Sequence, residues 1–450
     1  MKKLSLISLL LLITTIPAFA GGLLTNTNQH IAFLRMLARG ASTEIDGVYS
    51  NPAGLSFLPH EGLYLSLNIQ NAYQTRLIDA TVPGIFPEAN ATRHYKGTAS
   101  APIIPSFQAA YKTGNWVFSG SFAVVGGGGK ASFDTGLPIF DAMAIGMINS
   151  QLAQHPQLGQ LIAAGIPPTS MYSMNSSLDG KQYIYGVQLG VTYKVKDWFS
   201  AFVGGRMNYF TGGYEGFLRA SLKNEYGGAQ VANIALDCTQ TGWGLTPIIG
   251  ADFKLNKWNI GLKYEFMAEL NIENKTKTLD VPADATGAFA AYENGVNTPN
   301  DIPALLTAAV GYEFLPTLRA SVEYHYFFDK DAGMAGDKQK TLTGGTNEFL
   351  VGAEWDAHKY VTVSAGYQKT DYGLADNFQS DTAFSCDSYS IGVGAALNLS
   401  KHLKLNLAYF WTTYSDYTKK MDKYNGMPVA GTNVYGRTNR VFGVGVDYNF

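Results

Sequence analysis

The chain reads as an all-β fold: an antiparallel transmembrane β-barrel of about 14 strands with an N-terminal hatch, or plug, in its lumen. Three observations predict this. From Glu61 onward, segments of alternating apolar and polar residues recur, and the connectors between them are short and long in turn. The final segment, 441–450, sets Phe442, Val444, Val446, Tyr448 and Phe450 on one face and stops on an aromatic. Charged residues make up 15% of the chain, while Gly (49) and Tyr (27) are abundant; an ordinary soluble domain carries roughly 25% charge. Period-2 alternation gives each strand one oily and one wet face. A closing strand must bury its edge on another strand, which a barrel allows.

The elements follow in order. Met1-Lys2-Lys3, an apolar run over 4–16 and Ala18-Phe19-Ala20 have the layout of a secretory signal peptide, so 1–20 is expected to be removed and the mature chain to begin near Gly21. No Cys follows that site, so a lipid anchor is not expected. Beyond it no run of roughly 18 apolar residues occurs, and no transmembrane helix is expected. Residues 21–60 do not alternate: Ile31 to Arg39 carry apolar residues at helical spacing, followed by Gly40 and the turn-prone Asn51-Pro52-Ala53-Gly54. Such a segment cannot lie in lipid with its backbone unpaired, so it is expected inside the barrel, with a periplasmic tail as the alternative. The barrel is expected over 61–450.

Strands are expected at 63–75, 103–112, 116–126, 182–194, 199–210, 245–255, 258–270, 305–314, 318–328, 348–355, 361–370, 390–399, 403–413 and 441–450. Short connectors (113–115, 195–198, 256–257, 315–317, 356–360 and 400–402) each follow an even-numbered strand. With the N-terminus in the periplasm, short turns then lie on the periplasmic side and long loops outside. Alternation points Leu403, Leu405, Leu407, Tyr409 and Trp411 to lipid, and likewise Ile260, Val322, Val444 and Val446. The same count turns Arg206, Asp252, Lys263, Glu265, Arg319, Glu323, His325 and Glu354 inward, as a structural lumen network or a substrate path. A secreted β-sandwich also alternates, but it rarely carries aromatics at both ends of so many strands. Cys238 and Cys386 fall in segments that read as outward loops; the sequence leaves open whether they form a disulfide.

The stretch Ala41 to Leu55, with Asn51-Pro52-Ala53 shortly before the first strand of a 14-stranded pattern, resembles the FadL/TodX (OmpP1) family of outer-membrane transporters for hydrophobic compounds. The resemblance covers essentially the whole mature chain. It implies that Asn51, Pro52 and Ala53 match the hatch motif. It also implies that apolar ligands are caught by extracellular loops, bound above the hatch and released sideways through a kink in the third strand. That strand ends here in Gly126, Gly127, Gly128 and Gly129, and Gly weakens a strand; the start of an ordinary loop is the other reading.

The longest loop, 130–180, holds the apolar residues Leu137, Ile139, Phe140, Met143, Ile145 and Met147. Loops in water are ordinarily polar, so this cluster reads as a ligand-capturing surface or as a lid packed over the barrel mouth. The seven His residues sit in no Ser- or Cys-based motif, and no zinc spacing, P-loop or dinucleotide fingerprint is present. No enzyme activity, cofactor or metal is expected. A net charge of −2 argues against a nucleic-acid partner. The expected function is passive transport of hydrophobic molecules, fatty acids by default, into the outer membrane of a Gram-negative cell. Expected partners are the apolar ligand, the bilayer and the outer-membrane assembly machinery, with the chain a monomer. The rivals are a general porin, a haem-capturing receptor, a surface adhesin and an outer-membrane enzyme. Ligand identity is not legible, because oily pockets discriminate chain length weakly.

Overall fold

The computed structural model describes residues 25–151, 156–282 and 286–450; the expected leader, 1–20, lies outside them. Fourteen staves form one antiparallel sheet closed on itself. We number them β1 (Gly62–Thr81), β2 (Thr92–Thr113), β3 (Trp116–Phe133), β4 (Tyr172–Lys196), β5 (Phe199–Leu222), β6 (Gln230–Leu255) and β7 (Trp258–Glu265). The second half comprises β8 (Leu305–Leu315), β9 (Leu318–Phe327), β10 (Thr346–His358), β11 (Val361–Asp371), β12 (Ser388–Asn398), β13 (Leu403–Tyr414) and β14 (Gly431–Asn449). Three short strands, Asn271–Asp280, Asn297–Pro299 and Tyr417–Met421, decorate the loops. Closure runs between β1 and β14, from Tyr64 opposite Asn449 to Thr81 opposite Thr432. The Phe450 N–H donates to the Leu63 carbonyl at 2.9 Å. The last aromatic therefore completes the seam.

The alternation expected along the strands is present. Leu67, Ile69, Val203, Leu245, Val322 and Val446 point outward and are exposed, whereas Asn68, Arg206, Thr246, Lys263, Glu265 and Asn406 point into the barrel and are buried. A polar inner face and an apolar outer face are what a lipid-facing barrel needs. Outward aromatics such as Trp116 with Tyr193 and Trp258 with Tyr312 pair near the short turns, where an amphipathic ring suits the membrane boundary.

Several expected boundaries shift, in two directions. β1 to β6 and β14 run well past their expected outer ends, because the wall continues above the lipid, where loops bury an apolar inner face, the outer face is polar and the oily-out pattern no longer applies. Cys238, expected in an outward loop, therefore lies within β6. It is buried and free, as is Cys386, which does lie in the loop after β11. β7, in contrast, stops at Glu265 rather than Leu270. Beyond it the chain leaves the wall and Asn271–Asp280 returns to pair with the upper part of β6. The four glycines at 126–129 do not start a loop, since β3 continues through them to Phe133.

Val322 is 56% exposed, at the middle of β9's outer face, opposite Val310 and Val351. Val322→Arg is expected to destabilise the folded barrel by about 2–4 kcal/mol, read as a lowered denaturation midpoint in lipid vesicles, while Ser321→Thr on the inner face leaves it nearly unchanged.

Candidate functional site

Three features fill the barrel from its short-turn end to its mouth: the N-terminal segment, an interruption in the wall and a cavity under the loops. The segment begins with α1 (Ile31–Arg35), whose start is capped by His30: the ring nitrogen Nδ1 accepts from the Ala32 N–H at 2.9 Å. Ile31, Leu34 and Leu37 are fully buried against inward apolar residues of the wall, among them Ile104, Leu350 and Phe410. Burying an aliphatic side chain of this size contributes about 1.5–3 kcal/mol. The fit needs glycine in the wall. A Cβ at Gly392 would collide with the Leu34 carbonyl oxygen, and one at Gly261 with that of Gly40.

The expected charges hold the segment. Glu354 on β10 pairs with Arg35, with Arg39 at 3.2 Å and with Arg319 at 2.8 Å. Asp46 pairs with Arg39 at 2.7 Å within the segment rather than with the wall. The Gly40 N–H donates to Glu323 Oε2 at 2.7 Å, and Lys404 pairs with Glu44 at 2.9 Å. His325 lies between two acids, 2.5 Å from Glu323 and 2.9 Å from Glu348. These lumen charges are engaged with the N-terminal segment or with one another.

Asn51, Pro52 and Ala53 follow α2 (Gly47–Ser50) and open a short 3-10 turn, with Pro at its first position, where a missing N–H costs nothing. The Asn51 side chain caps that turn through Oδ1, and its amide donates to Asp252 at 2.5 Å and to the Ser42 carbonyl at 2.9 Å. Thr192 donates to the Pro52 carbonyl and Ser200 to that of Ala53, each at 2.7 Å. The three residues thus join the segment to β4, β5 and β6.

β2 and β3 pair from Ser106 to Thr113 and again from Thr98 to Ser100, with nothing joined between Ser100 and Ser106. Pro102 and Pro105 stand in this stretch of β2; each lacks the N–H a ladder needs. Opposite them, β3 is bulged against β4 at Val124/Gly126 and at Gly127/Gly129, where Gly127 and Gly129 have φ of 90° and 81°. A Cβ at Gly127 would strike the Gln182 carbonyl. The orphaned backbone finds partners in the N-terminal segment. The Asn26 N–H donates to the Val125 carbonyl at 2.8 Å, its side-chain amide donates to that of Gly127 at 3.2 Å, and the Ser106 hydroxyl donates to that of Gln29 at 2.5 Å.

At the mouth, α3 (Pro138–Gln151) and α4 (Pro156–Ala163) belong to the long loop between β3 and β4. Asp141, 1% exposed, anchors α3. It accepts from Arg93 at 2.9 Å and from the hydroxyls of Tyr95 and Tyr172. Burial, reinforced by the Asp141 charge, raises both phenols above their usual range, so they remain protonated donors. Under α3 lies a cavity of about 340 Å³. Ile139, Phe140 and Met143 line it, together with Leu218 of β5 and Ile234 and Leu236 of β6. Leu137, Ile145 and Met147 are packed into the surrounding core instead. The apolar area of this loop is therefore covered, contrary to the reading that it meets water. The opposite wall is polar: Gln379 and Asp381 from the loop after β11, and Lys419 from that after β13. Those residues carry no pattern in sequence. Pro102 and Pro105, inside an otherwise alternating strand, were the signal that marks the break.

No protein-family model matches the chain, and no curated protein matches it in sequence. Solved structures do match. A Pseudomonas aeruginosa FadL homologue is 14% identical with a TM-score of 0.67, covering 96% of this chain and 100% of that one. The Pseudomonas putida toluene transporter TodX is 13% identical with a TM-score of 0.53, covering 91% and 95%. The Ralstonia pickettii toluene transporter TbuX is 13% identical with a TM-score of 0.52, covering 90% and 94%. The likeness read from the sequence thus holds at the level of fold.

Glu354→Ala removes the carboxylate shared by three guanidinium groups. The expected cost is about 3–5 kcal/mol, as for breaking a buried pair from one side. It should appear as faster proteolysis within 25–60 in the detergent-purified protein, with the wall intact by heat-modified gel mobility.

Proposed function

We propose that the chain is a passive outer-membrane transporter of hydrophobic molecules, exported by its leader and carrying fatty acids or similar lipids and hydrocarbons. The observation that carries this reading is the break between β2 and β3. A transmembrane wall ordinarily pairs all its backbone, yet here it is interrupted beside two buried apolar residues, Ile104 and Val124, and covered from within by the N-terminal segment. A ligand would enter the mouth cavity past Ile139, Phe140 and Met143. It would descend to the apolar patch around Ile104 and leave sideways into lipid through Gly126 to Gly129 as the hatch, including Asn51, Pro52 and Ala53, holds the lumen shut. Partitioning into lipid supplies the driving force. A general porin fits less well, because 25–60 occupies the lumen that a porin leaves to water.

Two experiments test this. With Cys238→Ser and Cys386→Ser as background, Ile104→Cys and Val124→Cys joined by a short reducible thiol cross-linker should abolish cellular uptake of a neutral hydrocarbon probe, and reduction should restore it. Uptake unchanged by the cross-link rules out sideways exit. Phe140→Ser with Met143→Ser is expected to lower uptake of the same probe about thirtyfold below saturation, since losing two apolar contacts of roughly 1 kcal/mol each has that effect. Equal uptake by variant and parent makes this loop a lid only.

A further inference from the structure

Glu323, His325 and Glu348 form a buried chain of contacts from the N-terminal segment into the wall, and its hydrogens can be counted. Glu323 Oε2 accepts from the Gly40 N–H at 2.7 Å, and its Oε1 lies 2.5 Å from His325 Nε2. Across the ring, His325 Nδ1 is 2.9 Å from Glu348 Oε2. Glu348 Oε1 accepts from the Gln368 amide at 2.5 Å and from the Thr370 hydroxyl at 3.0 Å, and that hydroxyl accepts from the same amide at 3.1 Å. Every carboxylate oxygen thus faces a donor, which leaves no acceptor for a carboxyl proton. A neutral imidazole offers one N–H and an imidazolium two, so only a doubly protonated ring between two carboxylates satisfies all the contacts.

No second cation shares this task. Among the described residues, His325 alone stands within ion-pair distance of Glu323 or Glu348. Lys263 of β7 is held by Glu265 and by the Tyr49 carbonyl, each at 2.8 Å, while Arg35, Arg39 and Arg319 converge on Glu354. β8 sets only Thr307 and Ala309 beside the pair. Tyr49 of the segment and Tyr372 just after β11 come near the two acids, but phenols carry no charge at neutral pH. Losing the ring proton would turn a lone pair toward one carboxylate and leave two buried anions without a cation, a strongly unfavourable state. Glu348 is fixed by two further side chains of the wall. The partner that yields is therefore Glu323, whose other tie is Gly40. That contact is close: a Cβ at residue 40 would lie 2.8 Å from Glu323 Oε1.

We propose that His325 is a protonation-controlled latch on the N-terminal segment: the imidazolium holds Glu323 on Gly40, and loss of the ring proton as pH rises releases it. The device stands on the lumen geometry and needs no assumption about what is transported.

The test follows proteolysis within residues 25–60 of the full detergent-purified chain at pH 7 and pH 9.5, with assembly checked by heat-modified gel mobility and protease activity normalised to unfolded casein at each pH. Where opening is fast, cleavage tracks the open population. The rate in the parent is expected to rise about tenfold, the effect of losing one hydrogen bond to a charged group. His325→Gln should be cut at the faster rate at both pH values. Glu323→Gln, which keeps the shape without the charge, should remove the pH dependence. Nitrogen NMR of histidine-labelled protein gives a readout that a merely structural role would not move. The signal missing from His325→Gln should show both ring nitrogens protonated at pH 7 and one proton lost by pH 9.5. A ring already neutral at pH 7, a ring still doubly protonated at pH 9.5, or a parent cut equally at both pH values overturns the latch.

Discussion

Inside lipid, a backbone N–H or C=O has no water to bond, and this constraint shapes the molecule. Closure of β14 onto β1 in an unbroken register satisfies it at the seam where the chain's ends meet. The other ladders slip by single residues, and only β2 and β3 lose a longer run of pairing. There Asn26 donates to the Val125 and Gly127 carbonyls of β3, so the N-terminal segment takes up part of the broken pairing as well as filling the lumen. A protein that needed only a tight barrel would have no reason to place two prolines opposite a run of glycines in that position.

The segment is held by two kinds of force on two sides. The α1 side is apolar, with Ile31, Leu34 and Leu37 against the wall, while the 39–53 side is tied by charge and hydrogen bonds to Glu354, Glu323, Asp252 and the hydroxyls of Thr192 and Ser200. Apolar packing is non-directional and tolerates sliding. Buried ion pairs and hydrogen bonds are directional and lose much when only one partner is removed. The break between β2 and β3 is covered by the leading end, which is also tied by Asn28 to Gln70 at 3.0 Å and by His30 to Ser66 at 2.9 Å and Asp447 at 3.1 Å.

The mouth inverts the logic of the membrane band. Above the lipid, loops from five connections fold inward over the extended staves and bury an apolar inner face, where the band's inner face is polar. The resulting cavity owes its apolar wall to α3, β5 and β6 and its polar wall to two distant loops.

The sequence by itself determined the barrel, its strand number, the alternation of short and long connectors and the inward set of charges, because period-2 alternation against lipid leaves a strong and local imprint. It also marked 21–60 as different, through helical spacing and the Asn51-Pro52-Ala53 turn. It could not place the outer halves of β1 to β6, because above the membrane the solvent on the outer face changes and the imprint fades. Only the tertiary structure decided which of Leu137, Ile139, Phe140, Met143, Ile145 and Met147 line a cavity and which pack. A helix face has no meaning until its partners from β5, β6 and the loops holding Asp381 and Lys419 are in place. The same holds for Glu354, whose three arginine partners, 35 and 39 in the segment and 319 on β9, lie up to 319 residues away: pairing of charges across a lumen is a property of the closed fold, not of the chain.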